Sequence, residues 1–128
     1  EESPDNYILF LGKGKEAEWL DNNKSLLLYD DFEIYSYEMR LGTKNIINRT
    51  SSVISKAVFV LNGAYVLYQQ ENALFLIENV PYGQKNAYQV GNFDSVYNFF
   101  VTRNDNETVI FTGKVDGVGG IYEIQIGR

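Results

Sequence analysis

The densest group of potentially reactive side chains is acidic: Asp30 and Asp31, with Asp21 and Glu33 close by. A calcium ion needs about six to eight oxygens converging on one point. Asp30-Asp31 lies between two apolar runs without the alternation of a calcium loop, so a solvated turn accounts for it. Asn104-Asp105-Asn106-Glu107 lacks the central glycine and distal glutamate of an EF-hand loop and also reads as a turn. Glycoside hydrolysis needs two carboxyls held about 5–10 Å apart in a cleft. With 17 Asp and Glu a chance pair is unavoidable, and nothing in the sequence singles one out. Asp116-Gly117-Val118-Gly119-Gly120 resembles a phosphate cradle only in composition. It leads into Ile121-Tyr122-Glu123-Ile124, a strand pattern, whereas a phosphate loop opens a helix with Lys-Ser/Thr close behind. The chain has no histidine and no cysteine. Imidazole bases and ligands, thiol nucleophiles, thiolate metal sites and a Ser-His-Asp arrangement are therefore excluded. The reading is of no catalytic residue, no metal site and no cofactor.

The remaining residues speak about architecture. At 128 residues, 45% hydrophobic and 22% charged, the chain fits one domain spanning 1–128. Helical periodicity is scarce. Short runs of β-branched, aromatic and leucine residues recur between clusters of Asn, Asp and Gly, the pattern of strands and tight turns. The expected class is all-β.

A cadence of about 40 residues runs along the chain. AEWLDNNKSLLLYDDFEIYSYE from Ala17 aligns with AVFVLNGAYVLYQQENALFLIE from Ala57, and a third copy follows Asn98. The aromatic anchors are Trp19, Phe59 and Phe100, spaced 40 and 41 apart. Each copy gives a short strand, a polar turn, a nearly continuous apolar strand, another turn and an alternating strand. Ser25–Tyr29, Ala64–Tyr68 and Thr108–Thr112 are the apolar strands. Successive side chains of a strand point to opposite faces, so such strands must be covered on both sides. Lys44–Arg49 and Lys85–Val90 read as fourth, more polar strands, and the third copy has none before Arg128.

Four antiparallel strands per copy, stacked face to face, describe the blade of a β-propeller. The copies fall at about 15–54, 55–95 and 96–128, with Tyr7–Leu11 as a possible closing strand. The quoted repeats resemble the WD-repeat-like and TolB-type blades of bacterial envelope and surface proteins, although the Trp-Asp dipeptide and the Gly-His pair are missing. That resemblance implies a partial propeller, or part of a larger one, with apolar end faces that call for a neighbour. The neighbour would be another copy of the chain or the remainder of a longer one.

Tyrosines are the remaining candidates for contact with a ligand, through apolar area and one hydroxyl. Tyr82, in the turn Val80-Pro81-Tyr82-Gly83, together with Tyr35 and Tyr122, is the set expected to bind. Sequons at Asn23, Asn48 and Asn106 fall at predicted turns or strand ends. The net charge is −6, carried by residues 1–40, and the bases are scattered singly, which argues against nucleic acid. No apolar run approaches the roughly 20 residues of a membrane-spanning helix. The opening Glu1-Glu2-Ser3-Pro4 reads as a processed or excised piece.

The functional expectation is a non-enzymatic binding or scaffolding segment, extracellular, cell-surface or periplasmic, whose loops meet protein or glycan. Two other readings stay open: an up-and-down barrel around a small apolar ligand, and the accessory propeller of a hydrolase.

Overall fold

The computed structural model describes residues 8, 10, 13–20, 24–80, 83, 85–102 and 107–126. They form eleven strands: β1 (Glu16–Leu20), β2 (Ser25–Tyr29), β3 (Glu33–Glu38), β4 (Thr43–Arg49), β5 (Lys56–Val60), β6 (Tyr65–Gln70), β7 (Ala73–Glu78), β8 (Ala87–Asn92), β9 (Ser95–Val101), β10 (Thr108–Val115) and β11 (Val118–Gln125). Pairing between neighbours is antiparallel throughout, in three separate sheets ordered β1-β2-β3-β4, β5-β6-β7-β8 and β9-β10-β11. The expected all-β class holds, with four, four and three strands. A barrel would have required one closed sheet. Of the expected closing strand at 7–11, only Ile8 and Phe10 are among the described residues, and neither lies in a strand.

Turn chemistry follows the residues that sequence reading picked out. Asp30 Oδ1 accepts the backbone N–H groups of Phe32 and Glu33, each at 2.9 Å, and so closes the β2–β3 turn. Asp116 and Gly117, at φ 50° and 79°, form the two-residue β10–β11 link. Between β5 and β6, Leu61, Asn62 and Gly63 all take left-handed φ, of 53°, 57° and 84°. Gly63 is needed there twice over, because a Cβ on it would stand 2.6 Å from a methyl of Leu20.

The core shows how the sheets are layered. Along β6, Val66 and Tyr68 join Leu27, Tyr29, Ile34 and Ile47 of the first sheet, whereas Tyr65 and Leu67 join Phe99, Val109 and Phe111 of the third. Strand β7 divides in the same way: Phe75 and Ile77 face the first sheet, Leu74 and Leu76 the third. The inner strands of the middle sheet, β6 above all, are therefore dry on both faces, as their consecutive apolar residues require, while β8 stays largely exposed.

The facing also corrects one anchor. In β9 it is Phe99 that is fully buried against the middle sheet, while Phe100 points the other way and is half exposed. Adjacent residues of a strand cannot share a face. The aromatics that occupy the same place are thus Trp19, Phe59 and Phe99, opposite Leu26, Val66 and Phe111.

Short connections lock the layers. Between β4 and β5, Ile54 is fully buried and its N–H reaches the carbonyl of Asp31 at 2.8 Å. Between β8 and β9, Phe93 lies against Phe111, ring centroids 4.6 Å apart. Gln69, itself buried, donates to the Val96 carbonyl at 2.9 Å, and Asn72 Oδ1 accepts the Val96 N–H at 3.0 Å. Truncating Leu67, which has no exposed surface, should cost roughly 2–5 kcal/mol. Truncating exposed Ile121 to alanine should cost less than about 0.5 kcal/mol. Urea unfolding of Leu67→Ala beside Ile121→Ala measures the difference, and equal losses would contradict the layering.

Candidate functional site

A cluster of ionisable groups sits where the first and second sheets meet. Glu16, Glu18 and Tyr29 of the first sheet and Lys56 of the second line a crevice of about 230 Å³. Alternation puts Glu16, Glu18 and Leu20 on the face of β1 that looks toward the second sheet. Glu18 Oε1 accepts the N–H of Phe59 at 2.8 Å, a backbone group on the free side of edge strand β5. The Tyr29 hydroxyl donates to Glu16 Oε2 at 2.9 Å. Lys56 reaches onward to the third sheet, donating to the Phe99 carbonyl and, at 3.1 Å, to Asn98 Oδ1. Its ammonium also lies 4.8 and 4.6 Å from the ring centroids of Phe99 and Phe100.

Burial lifts the Glu18 carboxyl above its ordinary range, opposed by the Phe59 N–H and the charge of Lys56. Burial likewise lowers the Lys56 ammonium, opposed by Glu16 and Glu18. The Tyr29 phenol is pushed up to about 12, first by burial and then by the adjacent Glu16. Perturbed groups in a crevice are the usual mark of a reactive site. Here each has a partner it holds in place: Glu18 and Lys56 take backbone groups of the next sheet's first strand, at Phe59 and Phe99. The chemistry available is that of ties between layers.

The predicted ligand tyrosines are not brought together. Tyr35 has no exposed surface, and its hydroxyl donates to the Lys13 carbonyl at 2.7 Å, so it belongs to the core of the first sheet. The expectation that its ring is free for a ligand is corrected by that burial. Tyr122, on the third sheet, lies stacked at 5.3 Å on Phe111 with its hydroxyl donated to the Val118 carbonyl. Tyr82 lies outside the described residues. Of the acidic group, Asp30 is spent on its turn and Asp31 pairs with Lys15 at 2.8 Å. The Asn48 side chain is also committed, donating to the Tyr68 hydroxyl at 3.1 Å.

Two exposed surfaces stand out beyond the expected binding set. The outer face of the third sheet carries Tyr97, Phe100 and Ile121, exposed by 70%, 50% and 75%. Phe100, Ile110 and Glu123 form one cross-strand row on it. The alternation through Phe99-Phe100 and Thr108–Thr112 contained this signal. The second surface is the β3–β4 turn, where Met39 and Leu41 are exposed beside a hollow of about 420 Å³ lined also by Lys24, Glu38 and Arg40. The Met39 N–H bonded to the Lys24 carbonyl at 2.9 Å ties this turn to the start of β2, so both project from one end of the sheet. Among the described residues no helix is long and apolar enough to cross a membrane.

No known protein family matches the chain, and no curated protein is similar to it in sequence.

The Glu18 tie has a pH signature. A carboxyl raised in the folded state favours folding while protonated, fully so below its unfolded pKa, and this contribution is lost as the pH rises through the folded value. Glu18→Gln keeps an acceptor for Phe59 and carries no charge to desolvate. Its unfolding midpoint should therefore equal or exceed that of the parent at pH 7, with any gain closing as the pH falls through the ordinary carboxyl value of 4.5. Glu18→Ala should lose about 1–3 kcal/mol at pH 7 by stranding the Phe59 N–H. Thermal melts across pH separate the two, and a Glu18→Gln loss as large as that of Glu18→Ala would overturn the assignment.

Proposed function

We propose that the chain is a non-enzymatic binding or scaffolding segment of β-propeller type, its three sheets acting as blades and its turns making the contacts. The observation that carries this reading is the layering: three antiparallel meanders stacked in sequence, the inner strands of the middle one dry on both faces. Such a stack holds its turns rigidly, and a rigid frame with exposed turns is a display device. The order of strands and the forty-residue cadence support a likeness to the WD-repeat-like and TolB-type blades of bacterial surface and envelope proteins.

The non-enzymatic part of the reading is supported by the ionisable groups of the crevice, whose hydrogen bonds go to backbone, to the Asn98 side chain and to one another. Contact with protein or glycan is best supplied at the end bearing Met39 and Leu41, where apolar area lies beside Lys24, Glu38 and Arg40. This mixture suits peptide or sugar surfaces, which present apolar patches between hydrogen-bonding groups. An extracellular, cell-surface or periplasmic setting belongs to the same reading.

Screening the chain against immobilised glycans and surface-protein peptides tests the proposal. Binding by the parent chain that disappears in Met39→Ser/Leu41→Ser, with an unchanged melting temperature, is the expected result. Binding that survives this change overturns the assignment of the rim. Turnover of a hydrolase substrate panel by the purified chain overturns the non-enzymatic reading.

A further inference from the structure

The internal contacts have a direction. On the second sheet, Phe59, Val66 and Ile77 form a cross-strand row facing the first sheet; on the third, Phe99, Phe111 and Tyr122 form such a row facing the second. The same row on the first sheet is Trp19, Leu26 and Tyr37, with Lys44 beyond it on β4. It points away from the other two sheets. Trp19 is 48% exposed, and Leu26 and Tyr37 are half-buried. Gly14 packs on Leu28 and the Lys13 carbonyl on the Tyr35 hydroxyl, so these two residues lie over the neighbouring row.

At the opposite end of the stack, the row Phe100–Ile110–Glu123 is the face that the first and second sheets each press onto the sheet after them. The described residues thus present a partly exposed example of each half of a contact made twice internally.

We infer that these two faces meet between copies: the Phe100–Ile110–Glu123 face of one chain docks on the Trp19–Leu26–Tyr37 face of a second. Both rows run from an aromatic on the first strand through an aliphatic on the second. The first strands of successive sheets already lie side by side, held by Glu18 at Phe59 and Lys56 at Phe99. The outer strands of the two faces also carry opposite charges, Glu123 on one and Lys44, which pairs with Glu33 at 3.2 Å, on the other. A contact between unlike faces is heterologous, so it extends into rings or chains and is not limited to pairs. This inference rests on the stacked-blade reading of the fold but not on any ligand at the Met39–Leu41 rim.

Sedimentation of the 128-residue chain over a concentration series tests it. The parent should exceed the 14.6 kDa monomer mass in a concentration-dependent way. Ile121→Asp spoils one face and Trp19→Asp the other, so each alone should be monomeric, with circular dichroism and melting that show an intact fold. Mixed, the two should form a one-to-one complex and nothing larger, since only one good pair of faces remains. A parent that stays monomeric to about 1 mM overturns the proposal. So does a Trp19→Asp chain that still self-associates, which would mean like faces pairing, or a mixture that does not associate. Neither result bears on rim binding, which the array experiment reads separately.

Discussion

The apolar residues at consecutive positions of β6 are the constraint from which the rest follows. Tyr65, Val66, Leu67 and Tyr68 send alternate side chains to opposite faces, and each face must be kept from water. A two-layer sandwich would dry only one of them. A third layer is required, and the protein supplies it with a sheet on either side. Strand β2 places the same demand on the first sheet. Leu27 and Tyr29 are dried by the second sheet, while Leu28, on the other face, is 9% exposed and lies beside Gly14. The stack is the geometric answer to a composition that no single interface can satisfy.

Layering creates a second problem, because every four-stranded sheet exposes backbone groups along its edges. The first strand of each later sheet is such an edge, and the preceding sheet deals with it by a charged side chain. Glu18 meets an N–H at Phe59; Lys56 meets a carbonyl at Phe99. Carboxylate and ammonium have matching polarity for those two groups, and charge-assisted bonds are the stronger kind. The cost appears in the direction of their titration: burial disfavours the charged form of both. The edge explanation accounts for the two backbone groups and for the direction of both shifts together.

Much of this was legible in the residues. The strand-turn rhythm, the apolar second strands and the polar fourth strands all came from side-chain chemistry that acts locally, and β2 begins and ends where the run Ser25–Tyr29 does. What was not legible depends on counting residues through turns and bulges. The anchor Phe100 looked equivalent to Phe59 because one residue of offset is invisible in a pattern of consecutive aromatics, yet that offset reverses the face. An irregularity between Thr112 and Gly113 adds to the difficulty. Gly113 permits it, since a Cβ there would fall 2.0 Å from the Ser95 carbonyl oxygen. Tyr35 was misread for a different reason: a tyrosine suited to a rim and one buried in a core have the same sequence signature. Only the Lys13 carbonyl, 22 positions away, decides between them.

The direction of the stack limits how its ends can be satisfied. Within the chain, the face of one sheet that carries the Phe59 or Phe99 row always meets the other face of the sheet before it. Two ends that are unlike cannot be closed by a two-fold axis acting on one of them, because such an axis brings a face onto itself. With the axis along the row, Phe100 would meet Phe100 and Glu123 the equivalent Glu123, a like-charge contact that costs energy when solvent is displaced. In the proposed docking, both ends are met by one contact that repeats in one sense, as the two contacts inside the chain already do. The asymmetry of the meander is what would distinguish that arrangement from pairing of like faces.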